Sequence, residues 1–269
     1  MSAIDVWAQL PTARFNAEPW LATLLRWTGR STDAPPTTVA DILREMDAAG
    51  VEVSLISAWS APHGFLVTND EVAAAIAEAP DRLRGLAAVD LNDPVGAVRE
   101  VRRRVEEGFV GVRVVPWLWD LPPNDRRYYP VYVACVEAGV PFCTQIGHTG
   151  PLKRSETGRP IPYLEDALLD FPDLTVVGGH VGAPWIQEVL SLAHKFENFY
   201  VDTSAYAVHR LPAELVAYMK AEGRGRVLFG TNFPMLSPSR CLKQLDALGL
   251  DDEARALFLG EAARKVFKL

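Results

Sequence analysis

The stretch PVGAVREVRRRVEEGFVGVRVVP, residues 94–116, contains the unit from which the fold is predicted. Residues 94–107 have the apolar spacing of an amphipathic helix, and Gly108 follows directly, where a left-handed residue ends a helix. Residues 110–116 then form an apolar, β-branched run of strand length. The stretch therefore predicts a helix, a glycine stop and a strand in succession.

The same unit recurs along the chain. Gly50 and Gly139 also follow helical patterns and precede strands, and Asp70, preceded by Asn69, is predicted to cap a helix. The predicted strands are residues 3–9, 51–58, 83–91, 110–116, 140–146, 174–179, 199–203 and 226–231. The predicted helices are residues 38–49, 70–79, 94–107, 130–138, 163–171, 184–196, 212–222, 239–248 and 251–267.

This alternation of strands and helices predicts the fold class. Strands that are apolar on both faces and separated by helices are typical of parallel βα units. Eight such units in 269 residues predict an α/β protein with a single (β/α)8 barrel domain over residues 1–269. An open, doubly wound sheet is the alternative, but no GxGxxG motif follows the first strand and no second domain is evident.

Composition limits the range of functions. The chain is 49% hydrophobic and 23% charged, and its 27 basic and 34 acidic residues give a formal net charge of −7. An acidic chain without a basic block argues against nucleic-acid binding, and we interpret Arg102–Arg104 as a solvated helix face. No membrane-spanning run or signal-peptide pattern is present, so we expect a cytoplasmic protein with no membrane partner. The three cysteines form no CxxC pair, which argues against a disulfide framework or a zinc ribbon.

Polar and aromatic residues cluster where the predicted strands end, which is where barrels of this kind build their active sites. His148 and His180 lie there beside glycines, so we predict functional roles for both; structural histidines that bond a neighbouring loop are the alternative. Two long connections, residues 11–36 and 149–162, are expected at the same mouth. The other residues at these strand ends are Trp7, Gln9, Trp59, His63, Asp90, Arg113, Trp117, Trp119, Gln145, Asp202 and Asn232.

The fourth predicted strand leaves two questions open. Arg113 is a charge within an apolar strand, so it either pairs with Asp90 or Asp5 or clamps a substrate carboxylate. Aromatic residues follow this strand and suggest a mouth for a flat or apolar ligand. For Tyr128 and Tyr129, packing between loops and helices is an equally good explanation. These aromatic residues are Trp117, Trp119, Tyr128 and Tyr129, the last two being the ambiguous pair.

The order of these motifs resembles the amidohydrolase superfamily. The first strand begins Ile-Asp, the fifth contains Val-Pro-Phe and the sixth ends Gly-Gly-His-x-Gly; Tyr-Val-Asp-Thr-Ser and Leu-Phe-Gly-Thr-Asn-Phe-Pro follow in the seventh and eighth. The chain is most similar to the amidohydrolase-2 branch, which includes aminocarboxymuconate-semialdehyde decarboxylase and related decarboxylases and hydrolases. The resemblance covers essentially residues 3–269 and implies an enzyme with a small-molecule substrate, and by the same analogy a homodimer.

The resemblance also implies a divalent metal, usually zinc, and this chain departs from the ligand pattern. The family's first-strand histidine pair falls on Trp7 and Gln9, and its eighth-strand aspartate falls on Asn232. Its fifth-strand histidine falls on either Gln145 or His148, depending on how the strand is aligned. An indole offers no lone pair to a metal, and neutral amides are poor zinc ligands. We therefore predict that the protein holds no stoichiometric catalytic zinc.

The sixth-strand histidine, which assists catalysis in the family, falls on His180 without ambiguity. The first hypothesis is therefore an enzyme that acts without a metal on a small carboxylated or aromatic substrate, by hydrolysis or decarboxylation. His180 would be the general acid/base, His148 a second acid/base or a substrate contact, and Asp202 could orient a histidine. The residues expected to bind substrate are Trp7, Gln9, Arg113, Trp117, Gln145 and Asn232.

Within that hypothesis, Trp7 would fill the space left by the metal and stack on the substrate. Amides at the former ligand positions would bind substrate or stabilise an oxyanion. Two other hypotheses remain open. One is a metal-dependent hydrolase with a rearranged site built from His148, His180 and Asp202, and the other is a barrel that binds a ligand without catalysis.

Overall fold

The computed structural model describes residues 2–29, 31 and 35–269. Eight of its strands form one parallel sheet in the order β1-β2-β5-β6-β7-β8-β9-β10, and β3 pairs with β4 as a separate hairpin. The strands within these residues are β1 (Ala3–Ala8), β2 (Val51–Ser57), β3 (Trp59–Ala61), β4 (Gly64–Val67), β5 (Leu83–Ala87), β6 (Gly111–Val114), β7 (Phe142–Gln145), β8 (Val176–Gly179), β9 (Phe199–Asp202) and β10 (Val227–Leu228).

The sheet closes on itself beside β1. The Val6 N–H donates to the Phe229 carbonyl at 3.0 Å, and the Asn232 N–H donates to the Trp7 carbonyl at 2.8 Å. A parallel bridge joins Ala8 to Phe233 just beyond β10. The predicted (β/α)8 barrel is therefore confirmed, and the open, doubly wound sheet is wrong.

Helices follow the strands around the barrel. They are α1 (Ala13–Asn16), α2 (Leu21–Thr28), α3 (Val39–Ala49), α4 (Asn69–Glu78), α5 (Pro94–Glu106), α6 (Pro116–Trp119), α7 (Tyr129–Ala138), α8 (Glu165–Asp170), α9 (Ile186–Lys195), α10 (Ala213–Lys220), α11 (Pro238–Leu242), α12 (Asp252–Ala256) and α13 (Ala262–Phe267). Shorter 3-10 or π turns span Glu156–Gly158, Pro160–Leu164, Val208–Arg210, Leu245–Leu248 and Leu257–Glu261.

Side-chain caps fix the starts of several helices, among them α3 and α4. The prediction that Asp70 caps α4 is wrong, because Thr68 caps it. The Thr68 hydroxyl accepts from the Glu71 N–H, and the Glu71 carboxylate bonds back to the Thr68 N–H in a capping box. Glycine stops are confirmed at the other end: Gly50 and Gly139 end α3 and α7 with φ of 68° and 63°.

The basic cluster of α5 is only partly a solvated face. Arg104 is 3% exposed, because it packs against Phe109 and forms ion pairs with Glu100 and Glu107. The expectation of a wholly solvated cluster is therefore wrong for this arginine, whose buried guanidinium is stabilised by carboxylates one turn away. Within the described part of the chain, no helix is long and apolar enough to cross a membrane.

Candidate active site

A cavity of about 210 Å³ opens at the carboxyl ends of the barrel strands. Its polar lining comes from the residues that follow four different strands, as is usual for sites on this fold. Aromatic side chains from the long segment after β1 and from β3 form much of the wall. The polar lining residues are Gln9, Gln145, His148, His180 and Asn232, and the aromatic ones are Phe15, Trp20, Trp27, Trp59, Trp117 and Tyr206.

The aromatic wall is held by edge-to-face packing. Phe15 lies 5.5 Å from Trp20 and 5.2 Å from Trp59, and Trp20 lies 4.9 Å from Trp117, all as ring-centroid distances. The indole N–H groups of Trp20 and Trp59 are buried and have no hydrogen-bond partner among the described residues. The wall therefore offers flat apolar surface together with two uncommitted donors.

His180 follows β8 in a left-handed conformation with φ of 71°. Its Nδ1 lies 2.6 Å from the Ser204 hydroxyl, which also accepts from the His180 N–H. The Ser204 N–H in turn donates to the Asp202 carboxylate at 2.8 Å. Asp202 is therefore linked to the His180 ring through Ser204.

Several non-glycine residues with this left-handed backbone conformation lie at the site. Besides His180, the neighbouring Val181, Ala205 after β9 and Asn232 after β10 have φ of 66° or 67°. Such backbone is unfavourable for β-branched or bulky residues and is concentrated at functional sites. The cluster marks this end of the barrel as the functional end.

The His180 imidazole is a poor proton acceptor. Burial, together with the charge of Arg113 and a smaller effect of His148, lowers the pKa of His180 to about 3. The imidazole is therefore neutral at physiological pH. With Nδ1 committed to Ser204, Nε2 is the atom left to meet a ligand.

Trp7 and Arg113 pack together below the cavity, and neither residue lines it. Trp7 is fully buried; its ring lies 4.5 Å from the His180 ring, and the Arg113 guanidinium lies 3.7 Å above it. Gly179 makes room for the indole, since a Cβ there would come within 2.3 Å of the Trp7 ring. This cation–π contact gives the buried guanidinium a partner without an ion pair.

Arg113 takes neither of the partners that the sequence suggested. Its guanidinium donates to the Val6 carbonyl at 2.8 Å and to the Ser57 hydroxyl at 3.0 Å, while Asp90 is exposed elsewhere. The Asp5 carboxylate acts on Arg113 through space only. The first alternative, an ion pair with Asp90 or Asp5, is therefore wrong, because backbone, hydroxyl and indole groups take its place.

Two carboxyl groups are buried near this guanidinium. Burial raises the pKa of Asp5 to about 7, against hydrogen bonds from Thr231 and from the Trp7 N–H. Burial also raises the pKa of Asp202, whose Oδ2 has no hydrogen-bond partner among the described residues. The barrel interior thus contains a small charged cluster covered by the indole of Trp7.

Amide side chains form the rest of the polar lining. The Gln9 Nε2 donates to the Asn232 Oδ1 at 3.0 Å, while the Gln9 Oε1 is buried without a partner in the described part of the chain. The Gln145 Oε1 accepts from the Trp117 indole at 2.6 Å, and its Nε2 donates to the His148 carbonyl at 3.2 Å. Gln145 therefore holds Trp117 and His148 in place, whereas Gln9 retains a free acceptor.

The structure separates the predicted site residues into two layers. Gln9, Trp117, Gln145, His148, His180 and Asn232 line the cavity, whereas Trp7, Arg113 and Asp202 lie beneath it. His63 lies outside the lining and pairs with Glu18, and Tyr128 and Tyr129 pack among aromatic residues.

Sequence reasoning missed several residues of the site. Ser204, the partner of His180, lies two positions beyond Asp202, so the end of the seventh predicted strand was the available signal. Phe15, Tyr206 and Met235 also line the cavity. Phe15 lies in the long connection 11–36, and Tyr206 and Met235 follow the seventh and eighth predicted strands.

These residues do not fit a divalent metal. The ring of Trp7 carries a guanidinium 3.7 Å from its centre, and the Gln9 and Asn232 amides bond to each other. Within the described residues, no group of three or more histidine, cysteine, aspartate or glutamate side chains could hold a metal ion. The alternative built on His148, His180 and Asp202 lacks its third ligand, because Asp202 is buried beneath the cavity.

The sequence and the structure were compared with those of known proteins. A model of the amidohydrolase family matches residues 4–269. The gamma-resorcylate decarboxylase of Rhodococcus jostii is 26% identical over 254 residues, with 75% of each chain covered. An uncharacterised TIM-barrel protein from Bordetella bronchiseptica superposes with a TM-score of 0.85 at 25% identity, with 100% of this chain and 99% of that one covered.

A decarboxylase with a bound metal shares the fold at lower identity. The 5-carboxyvanillate decarboxylase of Novosphingobium aromaticivorans, crystallised with manganese and 4-hydroxy-3-methoxy-5-nitrobenzoic acid, has a TM-score of 0.69 at 17% identity. The match covers 100% of this chain and 96% of that one. Decarboxylases of aromatic carboxylates are thus among the similar proteins.

Proposed function

Because this chain belongs to the amidohydrolase family, we propose that it is an enzyme that decarboxylates a small aromatic carboxylate without a divalent metal ion. One observation carries the proposal. The positions of the family's metal ligands hold Trp7, Gln9 and Asn232, and yet the cavity still presents two histidines among aromatic walls. A site that had lost all chemistry would have no need to keep both imidazoles at its mouth.

The walls suit a flat ring. Aromatic side chains on several sides bind such a ring by stacking and by edge contacts, each worth about 0.5–1.5 kcal/mol beyond burial. The unpaired Gln9 Oε1 accepts from a ring hydroxyl, and the free indole N–H groups of Trp20 and Trp59 donate to oxygen atoms of the ligand. The name of the Rhodococcus relative, which specifies a hydroxylated benzoate, supports this substrate class.

The two histidines divide the proton chemistry. His180 is neutral because its pKa is about 3. It holds the substrate through Nε2 and does not supply the proton. His148 is exposed to the cavity mouth, is positioned by Gln145 and carries the proton. This assignment exchanges the roles that the sequence suggested for them.

Decarboxylation follows from the polarity of the cavity. The described lining residues include no lysine, arginine, aspartate or glutamate, so a ring carboxylate loses hydration there and meets no charged side chain other than the protonated His148. The C–C bond to the carboxylate breaks, neutral carbon dioxide leaves, and the electron pair stays on the ring carbon. That carbon takes the proton from His148, which water then reprotonates. No oxidant or reductant is needed.

Three predicted site residues act from below the cavity in this proposal. Trp7 and Arg113 support the His180 ring, and Asp202 orients it through Ser204. None of the three touches the substrate.

The test combines metal analysis with turnover. The purified protein is expected to contain far less than one equivalent of zinc or manganese. It should release carbon dioxide from at least one member of a panel of hydroxylated benzoates, equally before and after chelation. His148→Gln should lower kcat by about 100-fold, because it removes the proton donor. The matched control is His209→Gln, an exposed histidine outside the cavity lining.

Each contrary result has a distinct meaning. One tightly held metal per chain, with activity lost on chelation, would contradict metal independence. Cleavage of an aryl ester or lactone included in the panel, without carbon dioxide release, would replace decarboxylation by hydrolysis. Binding of ring compounds without any turnover would favour the non-catalytic barrel.

A further inference from the structure

Apart from the proton assigned to His148, the inner cavity offers an anionic substrate no full positive charge. Its lining within the described residues contains two histidines but no lysine or arginine, and Arg113 lies below it. A substrate with a second acidic group would therefore have to find its countercharge outside this cavity.

A second, more open groove of about 770 Å³ continues from the mouth. It shares Trp27, Gly150 and Pro151 with the inner cavity, so the two adjoin along these residues. Lys153 and Arg154 line the outer groove and are exposed, and neither forms an ion pair with any described residue. Asp120 also lines this groove and is exposed, so its three charged side chains carry a net charge of +1 in a chain whose net charge is −7.

A residue of this groove also has a buried hydroxyl without a partner among the described residues. Thr149 lines it and is only 4% exposed, yet its Oγ1 makes no hydrogen bond with the described residues. Leaving such a group unsatisfied is unfavourable, and a hydrogen bond to a ligand oxygen would remove that cost. The hydroxyl and the two cations offer complementary contacts to one anionic group.

The loop that carries these residues is tied at its base. The Gly147 N–H donates to the Gly158 carbonyl at 2.7 Å, and a Cβ on Gly158 would lie 2.7 Å from the Gly147 carbonyl. The Thr149 N–H donates to the Ser155 hydroxyl at 3.1 Å within the loop. Less ordering is therefore needed when a ligand binds.

We propose that the outer groove is a second binding site, which holds an anionic group at the far end of the substrate. The substrate then has an aromatic ring in the inner cavity and a distal carboxylate, or an acid of similar charge, reached through a linker. Exposed Trp27 and Leu152 contact the linker, and Thr149, Lys153 and Arg154 bind the acid. The inference rests on the proposed function, because it takes the inner cavity as the place of the ring.

The test uses aromatic acids with linkers of increasing length. Phenylacetate, 3-phenylpropionate, 4-phenylbutyrate and 6-phenylhexanoate are each compared with the matching neutral amide. Their Kd values are measured by quenching of tryptophan fluorescence at low salt. The preference for acid over amide should rise with linker length to about tenfold and should shrink in high salt, because exposed charges are screened.

Matched variants locate the effect. Lys153→Gln with Arg154→Gln should abolish the preference without changing the Kd of the amides. Arg240→Gln with Lys243→Gln makes the same change in net charge at exposed residues outside both linings and should keep the preference. Thr149→Val should reduce the preference several-fold without lowering Tm, because no hydrogen bond is lost.

The outcomes separate the two proposals. Equal Kd values for long acids and their amides, or an equal loss in both double variants, would overturn the outer site and leave the inner site standing. An unchanged preference in Thr149→Val would remove the hydroxyl from the site. Failure of every ring compound to bind would count against the proposed function and the outer site together.

Discussion

Among single residues, Trp7 has the widest consequences for the site. An indole brings no charge and no metal-binding lone pair, but its face accepts the Arg113 guanidinium and its ring touches His180. The positive charge in the barrel interior therefore comes from the Arg113 guanidinium. A protonated His180 would place a second cation against the same indole, so the arrangement favours neutral imidazole.

The low pKa of His180 gives a prediction for stability. In the unfolded chain the imidazole takes up a proton below its usual pKa of 6.5, but in the folded chain it stays neutral down to about pH 3. The contribution of His180 to stability should therefore fall as the pH falls from 6.5, by about 1.4 kcal/mol per pH unit. His180→Asn should remove this slope, and asparagine tolerates the left-handed backbone at this position.

Urea unfolding of the variant and the wild type between pH 4 and 7 measures the difference. His209→Asn, at an exposed position, is the control and should keep the wild-type slope. A stability difference between His180→Asn and wild type that does not vary with pH would show that the imidazole is solvated in the folded protein.

The sequence carries only part of this residue-level information. The position of His180 at a strand end beside glycines is enough to predict a functional role. Its lowered pKa does not follow from that position, because the shift depends on burial inside the closed barrel and on Arg113, from a strand distant in sequence. The neighbours of a buried charge are set by barrel closure, and local patterns do not encode them.

At the scale of elements, the end of β8 is shaped by what packs across the barrel. Gly179 is the last residue of β8, and a Cβ there would come within 2.3 Å of Trp7 and 2.8 Å of the Asp202 Oδ2. Gly179→Ala should therefore destabilise the protein by about 1–3 kcal/mol, the usual cost of overpacking. Loss of activity should accompany it, because His180 is the next residue.

A double-mutant cycle identifies the cause of that cost. In Trp7→Leu, which removes the clashing ring, Gly179→Ala should cost clearly less than in the wild type. The two changes should then be coupled by about 0.5–3 kcal/mol in urea unfolding. Additive effects would mean that the strand end, and not the indole, resists the methyl group.

Elements were predictable where one local pattern determined them. All eight barrel strands lie within their predicted ranges, because apolar β-branched runs and glycine stops mark them. The hairpin of β3 and β4 was missed: its residues, Trp59–Val67, are stabilised by tertiary packing such as that of Trp59 against Phe15. By contrast, residues 251–267, predicted as one helix, are continuously helical from Asp252 to Phe267, with a π turn at Leu257–Glu261 between α12 and α13.

For the whole molecule, the pH dependence of stability combines buried groups with opposite effects. Asp5 is fully buried, and its pKa is about 7 in the folded protein instead of the usual 3.8. The folded protein thus keeps a proton that the unfolded chain gives up. Between about pH 4 and 7 the contribution of Asp5 should decrease stability as pH rises, whereas that of His180 increases it. A wild-type profile alone would hide both effects.

Asp5→Asn separates them. Asparagine keeps an oxygen for the N–H groups of Trp7 and Thr231, and its amide can donate to the Thr231 hydroxyl, which still has the Trp7 carbonyl as an acceptor. The variant should gain stability relative to wild type by about 1.4 kcal/mol per pH unit from pH 4 to 7. Asp90→Asn, on the surface, should show no such trend. The contrary result is that the Asp5 variant becomes less stable relative to wild type as the pH rises. The ionised Asp5 carboxylate would then stabilise the folded protein, and Arg113 would have to neutralise this carboxylate without an ion pair between the two residues.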